Sequence, residues 1–368
     1  MEIKTFNTKS ETSVAVDISS LFHTEELPLW KEIAHEICEK FTHVFIFGVG
    51  GSSLAGQVLV QFKASNSPKI RFIDVLDEST IDQIKRTEIA TTAFIFITKS
   101  GETLETLVQT NYCLQYLSEQ KREIKNHCFF LTMKGTPLWN FAKEHNAITI
   151  THPDICGRFS CFTAVAIFPA LIAGVNVESY IDGGKIQSQN EIDKEFAKSM
   201  LEMPIHITMP YIHKLDVFTE WYSQLTAESL SKGENGYCVV RSLGTKDQHN
   251  QLQMFLDGRN DKTYTFIGNT CESGDLIHNK IAGVEIPKTR LSFLMQAGMQ
   301  GVAKELEKQG KGVRIIHFEE ISPKEVGKLF AFYMQEVLFQ ARFLQVEPFT
   351  QPSVASVKKL MFEFLQNK

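Results

Sequence analysis

Two stretches of this chain join glycines to hydroxyl-bearing residues directly after apolar runs. The first, FIFGVGGSSLAG, leads through Gly48, Gly50 and Gly51 into Ser52 and Ser53. The second, AFIFITKSGETLET, leads through Thr98, Lys99, Ser100 and Gly101 to Thr103. Glycine permits positive φ and a close approach of backbone N–H groups to an anion, and a strand-to-helix turn aims those groups at one point. Hydroxyls and a lysine ammonium add donors suited to a phosphate monoester. Each stretch alone has a plainer reading. The first also fits a nucleotide loop or a tight turn. A dinucleotide site would want a third glycine where Ser53 stands and an acidic residue closing the next strand, which Asp74 or Asp77 could supply. Ser100 alone reads as a helix cap and Lys99 as a solvated side chain. Two such loops after consecutive strands favour a phosphate site.

The elements that must position these loops are legible as alternating strand and helix patterns, the mark of parallel sheets covered by helices. Strands are predicted at His43–Gly48, Ile70–Leu76, Ala93–Thr98, His127–Thr132 and Ala147–His152, with centres almost wholly apolar, as for strands buried on both faces. Leu104, Leu107, Val108, Leu114 and Leu117 recur at near-helical spacing after the second loop, with Glu102 placed in the first turn of that helix. Beyond the polar stretch from Asp182 to Ser199, strands are predicted at Ile205–Met209, Tyr237–Leu243, Thr263–Gly268 and Val313–Phe318. Helices are predicted at 214–231, 247–256, 288–308, 324–344 and 354–366. The expected fold class is α/β, two three-layer α/β/α domains, with boundaries at 1–185, 186–350 and a C-terminal helix at 351–368.

Composition narrows the function. A chain of 368 residues suits two moderate domains, and 43% hydrophobic with 22% charged residues is ordinary for a globular protein. A net charge of -5 gives no broad basic field, so nucleic acid is not an expected partner and an anion must be held by a local site. The 7 cysteines are scattered without CxxC spacing and read as buried free thiols of a reducing compartment. The first residues, MEIKTFNTKSETS, lack the apolar core of a secretory signal, so a cytoplasmic location is expected. The uncharged run between Arg158 and Glu178 is long enough to cross a bilayer. It contains Ser160, Thr163, Pro169, Gly174 and Asn176 without flanking anchors, so a buried helix is expected and no membrane partner. The 11 histidines show no metal-ligand spacing, so no metal is expected and activity should resist chelators; no cofactor is expected.

The pair GVGGSS and TKSGETLET resembles the phosphate loops of sugar isomerase (SIS) domains, and in particular those of the phosphoglucose isomerase family. The resemblance implies two SIS-type domains and an aldose–ketose isomerisation of glucose 6-phosphate and fructose 6-phosphate. It places Gly51, Ser52, Thr98, Lys99, Ser100 and Thr103 around the phosphate; Thr98 stands where a serine is more usual and keeps the hydroxyl. WYSQLTAESLSKGENG is similar to the segment bearing the family's glutamate, which implies Glu228 as the enediol base and Gln224 as a sugar contact. SLGTKDQHNQLQMFLDG resembles the histidine segment, implying that His249 assists ring opening and is contributed by the partner subunit of a homodimer. CGRFSCF looks like the family's GGR[YF]S segment, implying Arg158 as the group that stabilises the enediolate. EPFTQPSVASVKKL resembles the C-terminal PFDQPGVExxKK pattern, implying Gln351 and Lys358 as site residues, with Lys359 the lesser claimant.

Departures from the pattern are Thr350 for Asp, Ser353 for Gly, Ala355 for Glu, and Ser231 for a usual glycine. The rival expectations are a bifunctional phosphoglucose/phosphomannose isomerase, which shares the architecture and the reacting groups, and a non-catalytic sugar-phosphate sensor. Retention of Glu228, His249 and Lys358 weighs against the sensor.

Overall fold

The computed structural model describes residues 1–7, 12–270 and 274–366. A five-stranded parallel sheet has the spatial order Lys69–Ile73, His43–Phe47, Thr92–Ile97, Cys128–Thr132, Ile148–Thr151. A second five-stranded sheet has the order Glu2–Phe6, Val313–Phe318, Lys262–Asn269, Ile205–Pro210, Cys238–Arg241. Its strands are parallel except Glu2–Phe6, which runs antiparallel along one edge. The predicted strands are all present, shifted at their ends by up to three residues. The edge strand Glu2–Phe6 and the antiparallel pairs Ser13–Ala15 with Glu191–Asp193 and Leu276–Ile281 with Val284–Arg290 were not predicted.

Strand alternation divides the first sheet into two chemically distinct faces. Phe45, Phe47, Phe94, Phe96 and Phe130 point to one side, where Phe47 stacks on Phe96 at 5.0 Å and Phe96 meets Phe130 at 5.2 Å. Val44, Ile46, Ile95, Ile97 and Leu131 point to the other. There they join a core that also takes in Ile267, Ile316 and Phe318 of the second sheet. A third cluster, including Ile207, Met209, Tyr264, Phe266 and Ile315, covers the far face of the second sheet. Aliphatic and aromatic side chains thus fill a shared layer between the sheets, and burial of that layer supplies most of the favourable free energy.

The uncharged run after Arg158 is a short 3-10 turn, Gly157–Phe162, followed by the helix Ala164–Ile172, of which nearly every residue is buried in that shared core. Among the described residues no helix is long and apolar enough to cross a membrane. The polar stretch 182–199 is not an open connection. It holds most of the helix Val177–Ser188 and most of Lys194–Leu201. Val177–Ser188 lies against the long helix Pro323–Leu344 through glycines: a β-carbon on Gly183 would overlap the Lys324 carbonyl, and one on Gly327 the Tyr180 carbonyl. The closeness of these backbones explains how a stretch with few apolar side chains is held in the core. Gly327→Ala is therefore expected to destabilise the protein by about 3 kcal/mol, because the added methyl meets backbone rather than a movable side chain. A lowered denaturant midpoint at unchanged slope checks it; an unchanged midpoint contradicts the tight helix contact.

Of the cysteines described, Cys113, Cys128 and Cys161 are buried free thiols, as expected, whereas Cys38 and Cys238 are exposed. Cys271 lies outside the described residues.

Candidate active site

The parallel order sets the loops. From His43–Phe47 the chain passes to Lys69–Ile73 on one side and then to Thr92–Ile97 on the other, so the connections leave in opposite directions and open a crevice at the carboxyl ends of the central strands. Gly48, Asp74, Thr98, Met133 and His152 each follow a strand directly at that edge. Gly48 lies so close to the Ile97 carbonyl that an added β-carbon would sit 3.1 Å from it, which fixes the two glycine-containing loops side by side.

In the second loop, Thr98 is buried and shares a 2.9 Å hydrogen bond with Thr103, and Ser100 Oγ accepts from the Glu102 amide at 3.1 Å. The helix begins at Leu104 with Thr103 as its N-cap and has no side-chain cap. Glu102 therefore precedes the helix, Glu105 is the acidic residue of its first turn, and Ser100 is not its cap. The uncapped first-turn amides and the Thr98, Ser100 and Thr103 hydroxyls form a donor cluster that suits an anion. Lys99 is half-buried and pairs with Asp154 at 2.8 Å. Nearby, burial pushes the pKa of His152 down to about 4, so its ring is neutral at pH 7.

The first loop is a spacer between two other elements. Gly50 has φ +58 and lies against Gln224, whose Nε2 would be 2.7 Å from an added β-carbon. Gly51 packs on the Gly157–Arg158 turn, with the Arg158 nitrogen 2.6 Å from where its β-carbon would stand. Side chains at both positions would push apart the elements carrying Gln224 and Arg158.

Arg158 is the hub of the site. Its side chain has 0% exposure, and every guanidinium N–H finds an acceptor. Nε donates to Ser229 Oγ at 2.9 Å. Nη1 donates to Glu228 Oε2 at 2.7 Å and to Gln351 Oε1 at 2.8 Å. Nη2 donates to the Pro348 carbonyl at 2.5 Å and the Thr350 carbonyl at 3.2 Å. Trp221 Nε1 in turn donates to the Arg158 carbonyl at 2.9 Å.

Glu228 and Gln224 lie one turn apart on the helix Asp216–Leu230, and Gln224 Nε2 donates to Glu228 Oε1 at 2.9 Å. The Glu228 side chain keeps 29% of its exposure, so a carboxylate oriented by an arginine and an amide still reaches solvent. It faces an open groove of about 750 Å³ that Val49, Gly50, Asp74, Gln224 and Arg241 also line. A carboxylate held in this way beside a fixed cation can move a proton at a carbon whose charge the cation stabilises.

The structure thus brings Arg158, Glu228, Gln224 and Gln351 together against Gly51, with Ser52 following it. Thr98, Lys99, Ser100 and Thr103 gather at the adjacent loop and do not line the groove. His249 is exposed on the short helix Lys246–Asn250, and among the described residues no hydrogen bond joins it to Glu228, Arg158 or Gln224. The backbone of Lys358 lies in the helix Val354–Gln366; the side chains of Lys358 and Lys359 lie outside the described residues. Among the described residues no group of three His, Cys, Asp or Glu could hold a metal ion. Ser229, Trp221, Asp154 and the carbonyls of Pro348 and Thr350 were not anticipated. Ser229 could have been suspected from its place beside Glu228, whereas backbone acceptors carry no residue-type signal.

The sequence model described as "Phosphoglucose isomerase" matches residues 19–257. A glucose-6-phosphate isomerase of Methanocaldococcus jannaschii is 27% identical over 373 residues, covering 95% of this chain and 90% of its own. A hypothetical protein of Thermus thermophilus has a crystal structure that superposes with a TM-score of 0.84 at 26% identity, covering 95% of this chain and 91% of the other. A glucose-6-phosphate isomerase structure from Chlamydia trachomatis shares the fold with a TM-score of 0.79 at 20% identity, covering 93% of this chain and 73% of the other. The matched span runs from before the glycine loop through Arg158 and Glu228 to beyond His249, so most of the residues assembled here fall inside it, and the chain belongs to the phosphoglucose isomerase family.

Proposed function

We propose that the protein interconverts glucose 6-phosphate and fructose 6-phosphate, with the Arg158–Glu228 pair as its reacting centre. The observation that carries this reading is the buried, fully hydrogen-bonded Arg158 holding a partly exposed carboxylate at the edge of a groove. The phosphate is held by the donors of Ser52, Thr98, Lys99, Ser100 and Thr103, which leaves C1 and C2 to reach Glu228. Glu228 takes the C2 proton, and the electron pair left on C2 forms the enediolate with the C1 carbonyl. Arg158 stabilises its negative oxygen. Glu228 then delivers the proton to C1 while the O2 hydroxyl passes its proton to O1, so C2 is oxidised as C1 is reduced and no external redox partner is consumed. Gln224 and Gln351 steady the carboxylate and the arginine and contact the sugar hydroxyls.

Ring opening needs a further proton carrier, a role assigned to His249 of a second subunit and to Lys358. Exposure of His249, without a hydrogen bond to Glu228 among the described residues, supports supply across a homodimer interface. The free thiols among the described residues fit a reducing compartment such as the cytoplasm.

A coupled assay of purified protein tests the reading. Conversion of fructose 6-phosphate and of glucose 6-phosphate is expected, with mannose 6-phosphate turned over much more slowly. Binding of the hexose phosphates without any turnover would contradict the assignment and favour a sensor. A particle mass of twice 41.7 kDa is expected for the active species, and full activity in a monomer would rule out the shared His249.

A further inference from the structure

Lys232 follows the helix Asp216–Leu230 and folds back onto its end. Its Nζ donates to the carbonyl oxygens of Glu228 and Ser229, both at 2.8 Å. The last four carbonyls of a helix lack intrahelical partners, and a cation placed there also meets the negative end of the helix dipole. Among the described residues no carboxylate pairs with this ammonium, so the carbonyls and not a surface ion pair hold it. The two residues it holds are the two that serve Arg158 from this helix: Glu228 pairs with Arg158 Nη1, and Ser229 accepts from Arg158 Nε.

We propose that Lys232 is a positioning residue for the isomerisation, locking the last helical turn so that Glu228 faces the sugar and Ser229 holds Arg158. This rests on the reading of Glu228 as the base. A lysine that merely ended the helix would stabilise the fold by a fraction of a kcal/mol and leave the chemistry alone.

The charged and titratable groups around this turn are few. Arg158 and Cys156 approach from the segment before the shared core, and Glu347 approaches from the segment before the last helix. Asp74, Glu220 and Arg241 line the groove that Glu228 faces. Burial, and then the neighbouring Arg158, push the Lys232 pKa down, as expected for a cation drawn toward the site.

Steady-state kinetics of Lys232→Met, Lys232→Gln and Lys232→Arg provide the test, with Glu228→Gln measured beside them. Lys232→Met is expected to lower kcat by about 10- to 30-fold with KM changed by less than about 3-fold, because the carboxylate is displaced and not the phosphate site. Lys232→Gln keeps a donor for the helix carbonyls, so it should regain part of kcat, and Lys232→Arg, which keeps both donors and charge at the helix end, should regain most of it. Wild-type kinetics in Lys232→Met, a loss carried by KM and not by kcat, or no recovery in Lys232→Arg would overturn the proposal. Wild-type activity in Glu228→Gln would instead sink the base reading on which it rests, and that result is independent of any Lys232 variant.

Discussion

Glu228→Gln is expected to lower kcat about 10³-fold in both directions while KM stays within about 2-fold. The amide has the same volume and still accepts a hydrogen bond from Arg158, which now meets the carboxylate at 2.7 Å, but it cannot take a proton from carbon. Nor should the fold suffer. Glu228 keeps 29% side-chain exposure, and its helix is anchored in the core by Phe218, Trp221, Tyr222 and Leu225, all on the buried face. The donor cluster at Thr98–Thr103, where the phosphate is proposed to bind, is not altered, so the deficit should appear in kcat. Circular dichroism with steady-state kinetics separates this outcome from unfolding.

Arg158→Met should damage both activity and stability. Five acceptors lose their donor at once, among them the Pro348 and Thr350 carbonyls that tie the segment before the last helix to the site. Breaking a buried pair strands its partners, a cost of about 3–5 kcal/mol. The lost electrostatic stabilisation of an enediolate should lower kcat by about 10²- to 10³-fold, the scale of removing a fixed donor from a developing oxyanion. Arg158→Lys retains the charge with three donors where five are used, so it should recover stability only in part and kcat by no more than about 10-fold. Denaturant titration and kinetics on the same preparations check both effects; a lysine variant equal to wild type would contradict the five-acceptor role.

The fold was most legible where strands are buried on both faces. The centres of His43–Phe47, Thr92–Ile97 and Cys128–Thr132 are continuous apolar runs because both faces of the sheet are covered. Glu2–Phe6 escaped notice for the opposite reason. It is half-exposed, mixes charged and apolar residues, and gains its identity only from pairing with Val313–Phe318 at the far end of the chain. The stretch 182–199 read as polar because its part of the helix Val177–Ser188 packs through Gly183 on the Lys324 carbonyl, where backbone and not side-chain apolarity makes the contact.

At the site, the two glycine-containing loops were visible because their chemistry is local: glycines and hydroxyls within one turn. The union of Arg158, Glu228 and Gln351 is not local. Nothing in the spacing brings these three segments to one point, and only the resemblance suggested it. The structure supplies the physical reason, since Gly50 and Gly51 are small enough to let the Gln224–Glu228 helix and the Arg158 turn close on the same loop.

One label experiment bears most directly on whether Glu228 carries a proton between the two sugar carbons. Fructose 6-phosphate is converted in D₂O, and the glucose 6-phosphate formed is assayed for deuterium at C2. Solvent deuterium at C2 beside hydrogen carried over from C1 is predicted, because the Glu228 carboxyl both hands on its proton and reaches solvent, and both should be lost in step with kcat in Glu228→Gln. Undiminished turnover and deuterium uptake in Glu228→Gln would assign the base elsewhere and would contradict this role.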